Sequence, residues 1–367
     1  MFDHLSLGVS DLARSVPLYD AALAPLGFTP HFARQIDAET HDGLTPVRVS
    51  EVQRSVLKAI GADGPLTIRT PSSRQTNEYG VGDWVMVDHS GQIFHTLERQ
   101  TVLTRRAAGT DVTEQIIAAN IDTLFIVSSC NADFNLGRLE RYLALAAEAE
   151  VTPVLILTKA DLADDAADYE RKAQTLLAHL PVLAINAKDR DDQQLVEQWI
   201  GRAQTAALVG SSGVGKTTLL NALTGASDLT QGIREDDAKG RHTTTSRSLH
   251  PTGGGGWVID TPGMRALRLH EKQAGVETVF ADIQALAATC KFNNCSHETE
   301  PGCAVTTAIQ NGDLAAERLD RWRKLLAEDN RNTETIAQSR RRSRDFTKMV
   351  NRTQAESRTR KGNRRGR

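Results

Sequence analysis

Gly210-Ser211-Ser212-Gly213-Val214-Gly215-Lys216-Thr217-Thr218 sets the architecture of the central part of this chain. The run fits G-x-x-x-x-G-K-[ST] and stands between an apolar segment, TAALV (205–209), and a helical pattern, TLLNAL (218–223). Strand, loop and helix in that order are what a phosphate-binding loop needs. Glycines let backbone N–H groups approach phosphate oxygens, and the helix N-terminus adds positive potential. Lys216 then neutralises charge on the β- and γ-phosphates, and the Thr217 hydroxyl is placed to ligate Mg2+.

Toward the C-terminus, Asp260-Thr261-Pro262-Gly263 follows the apolar strand WVID (257–260). In that position Asp260 can hold Mg2+ through water and the Gly263 amide can sense a γ-phosphate. Toward the N-terminus, Thr158-Lys159-Ala160-Asp161 ends the strand PVLILT (153–158) and fits [NT]-K-x-D. A carboxylate at Asp161, buried against the base, accepts from the guanine N1–H and N2–H2 pair that adenine lacks, and so selects guanine. Lys159 is expected along the base plane, and Asn186-Ala187-Lys188 over O6. Thr158 stands where Asn is more usual, which predicts a lost carboxamide contact and lower affinity without a change of base.

An ordinary GTPase runs phosphate loop, switch threonine, D-x-x-G, then N/T-K-x-D. Here the base-reading runs at 158–161 and 186–188 precede the loop at 210–217, so the domain is circularly permuted. The D-x-x-G segment then leads directly into the C-terminal part and can transmit nucleotide state there. Gly240-Arg241-His242-Thr243-Thr244-Thr245 falls where the first switch belongs, with Thr244, and next to it Thr243, as the magnesium threonine. Met264 follows Gly263 where a water-orienting Gln ordinarily stands. A thioether cannot orient water, so hydrolysis is expected to be slow or to use another group, and His242 is the nearest titratable candidate. The expected catalytic set is Lys216, His242 and Thr244.

Cys290-x4-Cys295-x-His297-x5-Cys303 supplies three thiols and an imidazole, a complete tetrahedral set for one structural zinc with no open catalytic position. Cys130 ends an apolar strand and is expected in the core. At about 150 residues per domain, 367 residues predict two or three domains. No apolar run approaches the ~20 residues of a bilayer span, and MFDHLSLGVSDLARS lacks a signal peptide's apolar region, so a cytoplasmic location is expected. The net charge of −2 hides an asymmetry: residues 339–367 carry 12 Lys+Arg against 2 Asp+Glu (+10), leaving −12 upstream. Such a tail, composed to stay unpacked, suits a polyanionic partner, above all nucleic acid.

Residues 1–35 form an extension. MFDHLSLGVSDLARSVPLYDAALAPLGF resembles the first strand and helix of the glyoxalase (vicinal oxygen chelate) family, where His4 would match a metal ligand. The repeats that family needs are missing downstream, so His4 is taken as an ordinary residue. Between Pro46 and Thr113, short β-rich runs (47–52, 66–69, 83–87, 92–97) suggest a small barrel or sandwich, an oligonucleotide-binding barrel being one candidate. VGDWVMVD within it alternates as a half-buried strand would. From Ile116, strands at 123–129, 153–158, 181–186, 205–210 and 256–260 alternate with helices at 136–150, 169–179, 193–202 and 217–224, which predicts a parallel sheet with helices on both faces. Beyond Gly263 the pattern is mainly helical and closes with a helix over 313–329.

Together these residues resemble the RsgA (YjeQ) family of circularly permuted ribosome-biogenesis GTPases. The match is carried by GDWV (82–85), QIIAANIDTLFIV (115–127), TKAD, GSSGVGKTTLLNAL, GRHTTT, DTPGMR and CKFNNCSHETEPGCAV (290–305), and spans about Leu26 to Glu328. The resemblance implies an N-terminal OB-fold β-barrel over 36–113, a permuted α/β P-loop GTPase domain over 114–275 and a zinc-binding helical module over 276–330; the basic tail over 331–367 lies outside it. It also implies GTP hydrolysis to GDP stimulated by the 30S subunit late in its assembly, contacts with 16S rRNA, a monomer, and no membrane. Met264 agrees, since members carry a hydrophobic residue in place of the glutamine. The alternative is a nucleotide-gated RNA-binding chaperone in which hydrolysis is incidental.

Overall fold

The computed structural model describes residues 21–37, 40–53, 56–106, 114–226, 247–261 and 273–328. Strands β1 (Thr45–Val52), β2 (Leu57–Gly61) and β3 (Gly64–Ile68) form a meander, and β4 (Trp84–Val87) with β5 (Ile93–Thr96) form a hairpin on the other edge of β1. A parallel bridge, Arg69 to Gln92, closes the ring: Arg69 N–H donates to Gly91 O (2.8 Å) and Ile93 N–H to Arg69 O (2.9 Å). The circuit β1-β2-β3-β5-β4-β1 has the strand order of a five-stranded OB-fold barrel, filled by Val47, Val49, Leu57, Ala59, Ile68, Val85, Val87 and Ile93.

Strand β4 corrects an expectation. Its alternation predicts one buried face, yet all four residues are buried. Val85 and Val87 face the barrel interior, while Trp84 and Met86 pack with Leu23, Phe28, Phe32 and Leu97, so the segment before the barrel covers its outer wall. Phe28 meets Trp84 edge-on at 4.8 Å, a favoured aromatic geometry.

A ribbon of β6 (Val102–Arg106) and β7 (Glu114–Ala119) leads to the second sheet. There β8 (Thr123–Ser129), β9 (Thr152–Thr158), β10 (Val182–Ala184), β11 (Thr205–Gly210) and β13 (Trp257–Asp260) lie parallel in the order β10-β9-β8-β11-β13. Helices α1 (Leu136–Glu148), α2 (Ala166–Gln174), α3 (Arg190–Glu197) and α4 (Lys216–Thr224) alternate with them. Buried clusters on both faces explain why TLFIVSS and TAALVG read as unbroken apolar runs. Two helices begin earlier than their apolar pattern suggests because carboxylates cap them: Asp165 accepts from Asp168 N–H (3.0 Å) and Asp189 from Asp191 N–H (3.0 Å). Cys130 is buried as expected, its thiol pushed up to about 11 by burial, with Glu170 adding to the shift.

The sheet is not purely parallel. β12 (Arg247–Pro251), absent from the expected strands, runs antiparallel to β13 and closes a hairpin in which Thr252 N–H donates to Gly256 O (2.8 Å). Its other edge meets barrel strand β1 through Glu51–Ser248 and Val52–Arg247, making barrel and central sheet continuous.

Helices α5 (Gln273–Val279), α6 (Ala281–Ala287), α7 (Ala304–Asn311) and α8 (residues 316–328) complete the described chain. A Cβ at Gly275 would stand 2.2 Å from Ala144 O, so glycine is what lets α5 touch the backbone of α1. Glu140 of α1, fully buried, pairs with Arg318 (3.1 Å) and Arg321 (2.8 Å) of α8, and Arg318 also reaches Asp282 (2.7 Å). No helix among the described residues is long and apolar enough to cross a membrane.

Candidate functional site

From β8 the chain proceeds to β9 and β10, then returns to β11 on the other side of β8. Strand order therefore reverses between β8 and β11, and open α/β sheets bind ligands at the carboxyl ends of the strands flanking such a reversal. At that edge the structure gathers 158–161 after β9, 186–188 after β10, 210–218 after β11, and Asp260 at the end of β13.

The loop after β11 turns on glycine. Gly210 has φ +151°, and a Cβ there would stand 2.2 Å from Val127 O. Lys216, the first residue of α4, folds back so that Nζ donates to Gly210 O (2.9 Å) and Ser211 O (2.5 Å). Burial holds its ammonium down to about 8, with Asp260 opposing the shift. Burial likewise raises the Asp260 carboxyl, while Lys216 and then His250 pull it down. Ser212 and Gly213 are exposed at the loop tip, Val214 is buried beneath it, and Gly215, Thr217 and Thr218 are half-buried.

The 158–161 run is wired to this loop. Thr158 Oγ1 donates to Val214 O (2.6 Å), with Ser128 O 3.1 Å away, and Lys159 Nζ donates to Gly213 O (2.9 Å). The hydroxyl at Thr158 thus reaches the phosphate loop from the place where Asn is usual. Lys159 itself is left-handed (φ +61°), and Ala160 N–H donates to Ile185 O (3.2 Å), which sets the loops after β9 and β10 side by side. Asp161, expected buried, is exposed. Asn186 N–H donates to Asp192 (2.7 Å), Asn186 Oδ1 accepts from Lys188 N–H (3.0 Å), and Ala187 O accepts from Gln193 (3.0 Å). His4, His242, Thr243, Thr244, Gly263, Met264 and the tail lie outside the described residues.

Sequence reasoning passes over two features of this edge. Arg138 Nη1 donates to Ser211 Oγ at 2.6 Å, and His250 Nε2 lies 2.8 Å from Ser248 Oγ beside the Ser248–Asp260 strand pair. Neither sits at a fixed offset from a motif, so only the folded sheet exposes them.

A second cluster lies in the helical module. The ligand atoms of Cys290, Cys295, His297 and Cys303 all fall within 4.8 Å of one another and can hold a metal ion. His297 Nδ1 is 3.6 Å from Cys290 Sγ and 3.5 Å from Cys303 Sγ, and those two sulfurs are 3.8 Å apart. A tetrahedron with Zn–S of ~2.3 Å and Zn–N of ~2.0 Å has edges of about 3.8 Å and about 3.5 Å, so donors and spacing fit zinc. Arg323 of α8 fixes this loop by donating to Ser296 O (2.9 Å) and His297 O (2.8 Å).

Comparisons with known proteins agree with this geometry. The family model described as RsgA GTPase matches residues 96–270. A relative from Mesorhizobium japonicum, named small ribosomal subunit biogenesis GTPase RsgA, is 49% identical over 88% of this chain and 94% of its own. A Vibrio parahaemolyticus protein, named small ribosomal subunit biogenesis GTPase RsgA 2, is 44% identical over 92% and 94%. Among solved structures, YjeQ from Thermotoga maritima superposes with a TM-score of 0.56 at 24% identity, covering 78% of this chain and 98% of that one. YloQ, described as a circularly permuted GTPase, gives 0.53 at 23%, covering 79% and 96%. With its motifs in permuted order on one sheet edge, the chain belongs to the RsgA family of GTPases.

Proposed function

We propose that this protein hydrolyses GTP to GDP and phosphate in the service of small ribosomal subunit maturation. The observation that carries the proposal is the convergence of four chain segments on one sheet edge, with Thr158 and Lys159 hydrogen-bonded to the phosphate loop. Asp161 reads guanine, Lys159 lies along the base, and Asn186, Ala187 and Lys188 cover O6. Residues 210–218 cradle the phosphates, where Lys216 exchanges its two loop carbonyls for phosphate oxygens. Thr217 and Asp260 offer the hard oxygen donors that suit Mg2+, which when bound neutralises β/γ charge. Thr244 adds to that coordination, Gly263 senses the γ-phosphate, and His242 orients the attacking water in place of the missing glutamine.

Zinc in the Cys3His cluster is structural, since four protein ligands leave no open position. The names of the relatives support the small ribosomal subunit as partner, and the barrel, the helical module and the +10 tail would meet its 16S rRNA. The protein acts in the cytoplasm as a monomer. GTP turnover measured with and without 30S subunits tests this. Stimulation that weakens as salt rises and vanishes in K216A is expected, and no stimulation at low salt overturns the role. Subunit maturation unchanged in K216A would instead favour an RNA-binding chaperone in which hydrolysis is incidental.

A further inference from the structure

Arg138 belongs to none of the nucleotide motifs, yet it grips the phosphate loop. It lies in the first turn of α1, where its N–H donates to the capping Asn135 Oδ1 (2.9 Å). Its Nη1 donates to Ser211 Oγ (2.6 Å) and to Asp133 Oδ2 (2.9 Å), the second bond fixing the guanidinium for the first. Ser211 is the second residue of the phosphate loop and is only 9% exposed. Its carbonyl accepts from Lys216 Nζ at 2.5 Å, so one residue receives the loop lysine on its backbone and Arg138 on its side chain.

The same helix is anchored to the metal-bearing module. Glu140, two residues on, accepts from Arg318 and Arg321 in complete burial. Arg141 pairs with Glu328, and the Gly275 N–H of α5 donates to Glu148 (3.3 Å). Arg323, on the α8 turn that carries Arg321, holds the carbonyls of Ser296 and His297. A continuous set of contacts therefore runs from the metal loop through α8 and Glu140 to α1, Arg138 and Ser211. It is separate from the covalent link through the D-x-x-G segment.

We propose that Arg138 is a positioning residue for the phosphate loop, and that α1 couples that loop to the docking of the metal-bearing module. The inference rests on the nucleotide-site reading above and adds to it a route by which a partner gripping the module changes nucleotide affinity.

The test uses the full-length, metal-loaded protein and a fluorescent GDP analogue, with thermal melts to confirm that each variant is folded. R138M and S211A each weaken GDP binding by about tenfold, the scale of a hydrogen bond to a charged group. R138K recovers part of the loss, and R138M/S211A is no weaker than either single variant, because both remove one bond. R321M, which leaves Arg318 on Glu140, weakens binding by about two- to threefold in the wild-type background and has no further effect in R138M, the signature of a shared route. R321K shows a smaller loss in the same direction and serves if R321M does not fold. R138M binding GDP as the wild type does, or an R321M effect that persists in full beside R138M, overturns the proposal. K216A separates the layers: unchanged GDP affinity there sinks the nucleotide site itself, whereas its loss beside a normal R138M sinks only the role of Arg138.

Discussion

The nucleotide edge and the Cys3His loop are both built to hold cations and anions in order, but on opposite plans. The nucleotide edge draws on segments from Thr158 to Asp260 that only the sheet brings together. Its polar groups are already bonded to one another, Lys216 on Gly210 and Ser211, Thr158 on Val214, and Lys159 on Gly213. The metal loop is one short stretch of turns whose side chains converge on a common point, with Phe292 left 42% exposed. In the first region the fold makes the site. In the second, a bound ion would make the fold.

Metal removal is the strongest test of that contrast. Structural zinc sites contribute roughly 10–16 kcal/mol of apparent binding energy, most of which is folding energy for the ligating segment. Chelation, or C303S, is expected to erase amide protection across residues 290–303 while β8, β9 and β11 keep theirs, as read by hydrogen exchange. A metal-free protein still protected at 290–303 would break the comparison.

The next largest effect falls where the regions join. Burial raises the Glu140 carboxyl, while Arg321 and Arg318 pull it down. E140Q removes the charge that two guanidiniums share, and breaking one side of a buried pair costs about 3–5 kcal/mol. Denaturant unfolding is expected to show that loss, with the helical module opening before the central sheet. A single transition at the wild-type midpoint would mean the pair contributes nothing to docking.

The contrast also explains what could be read before folding. The metal set is contiguous, so Cys290, Cys295, His297 and Cys303 announce themselves by spacing, and their convergence follows. The phosphate loop, TKAD and Asp260 are each recognisable because glycine backbone and a few charged side chains recur at fixed spacing at strand ends. Arg138 and His250 are invisible in the same way that β12 is. Ser211 and Val52 lie far along the chain from Arg138 and β12, and Ser248, two residues from His250, shares its face only because β12 is extended. Strand β4 failed as a half-buried strand because its outer face is covered by residues 21–36, whose own pattern says nothing of where they pack.

Lys216 offers a test with pH. Its folded pKa of about 8 lies below the usual 10.5, so between those values the unfolded chain binds the extra proton. Stability of the nucleotide-free protein therefore rises with pH across that window, by up to ~3 kcal/mol from this group. K216M lacks that slope. K216M gives up two carbonyl bonds together with the cost of the buried ammonium, so its stability relative to the wild type is expected to fall as pH rises from about 8 to 10.5. GTP should stabilise only the wild type. A K216M protein whose stability tracks that of the wild type across this window would show that burying the ammonium carries no cost.

The finest distinction concerns Thr158. Its methyl packs where a Cβ on Gly215 would come to 3.5 Å, while its hydroxyl bonds Val214 O at 2.6 Å. T158V keeps the shape and deletes only the bond, leaving a buried carbonyl without that donor. A loss of about 1 kcal/mol follows, equivalent to roughly a fivefold weaker affinity for GDP if the bond holds the loop in its binding shape. On the proposal that Asp161 carries the base preference, that preference should not move, so GDP and inosine diphosphate should weaken in proportion. Should T158V instead lose GDP affinity while binding inosine diphosphate normally, Thr158 would act on the base and not on the loop, and the nucleotide edge would be less preassembled than its bonds suggest.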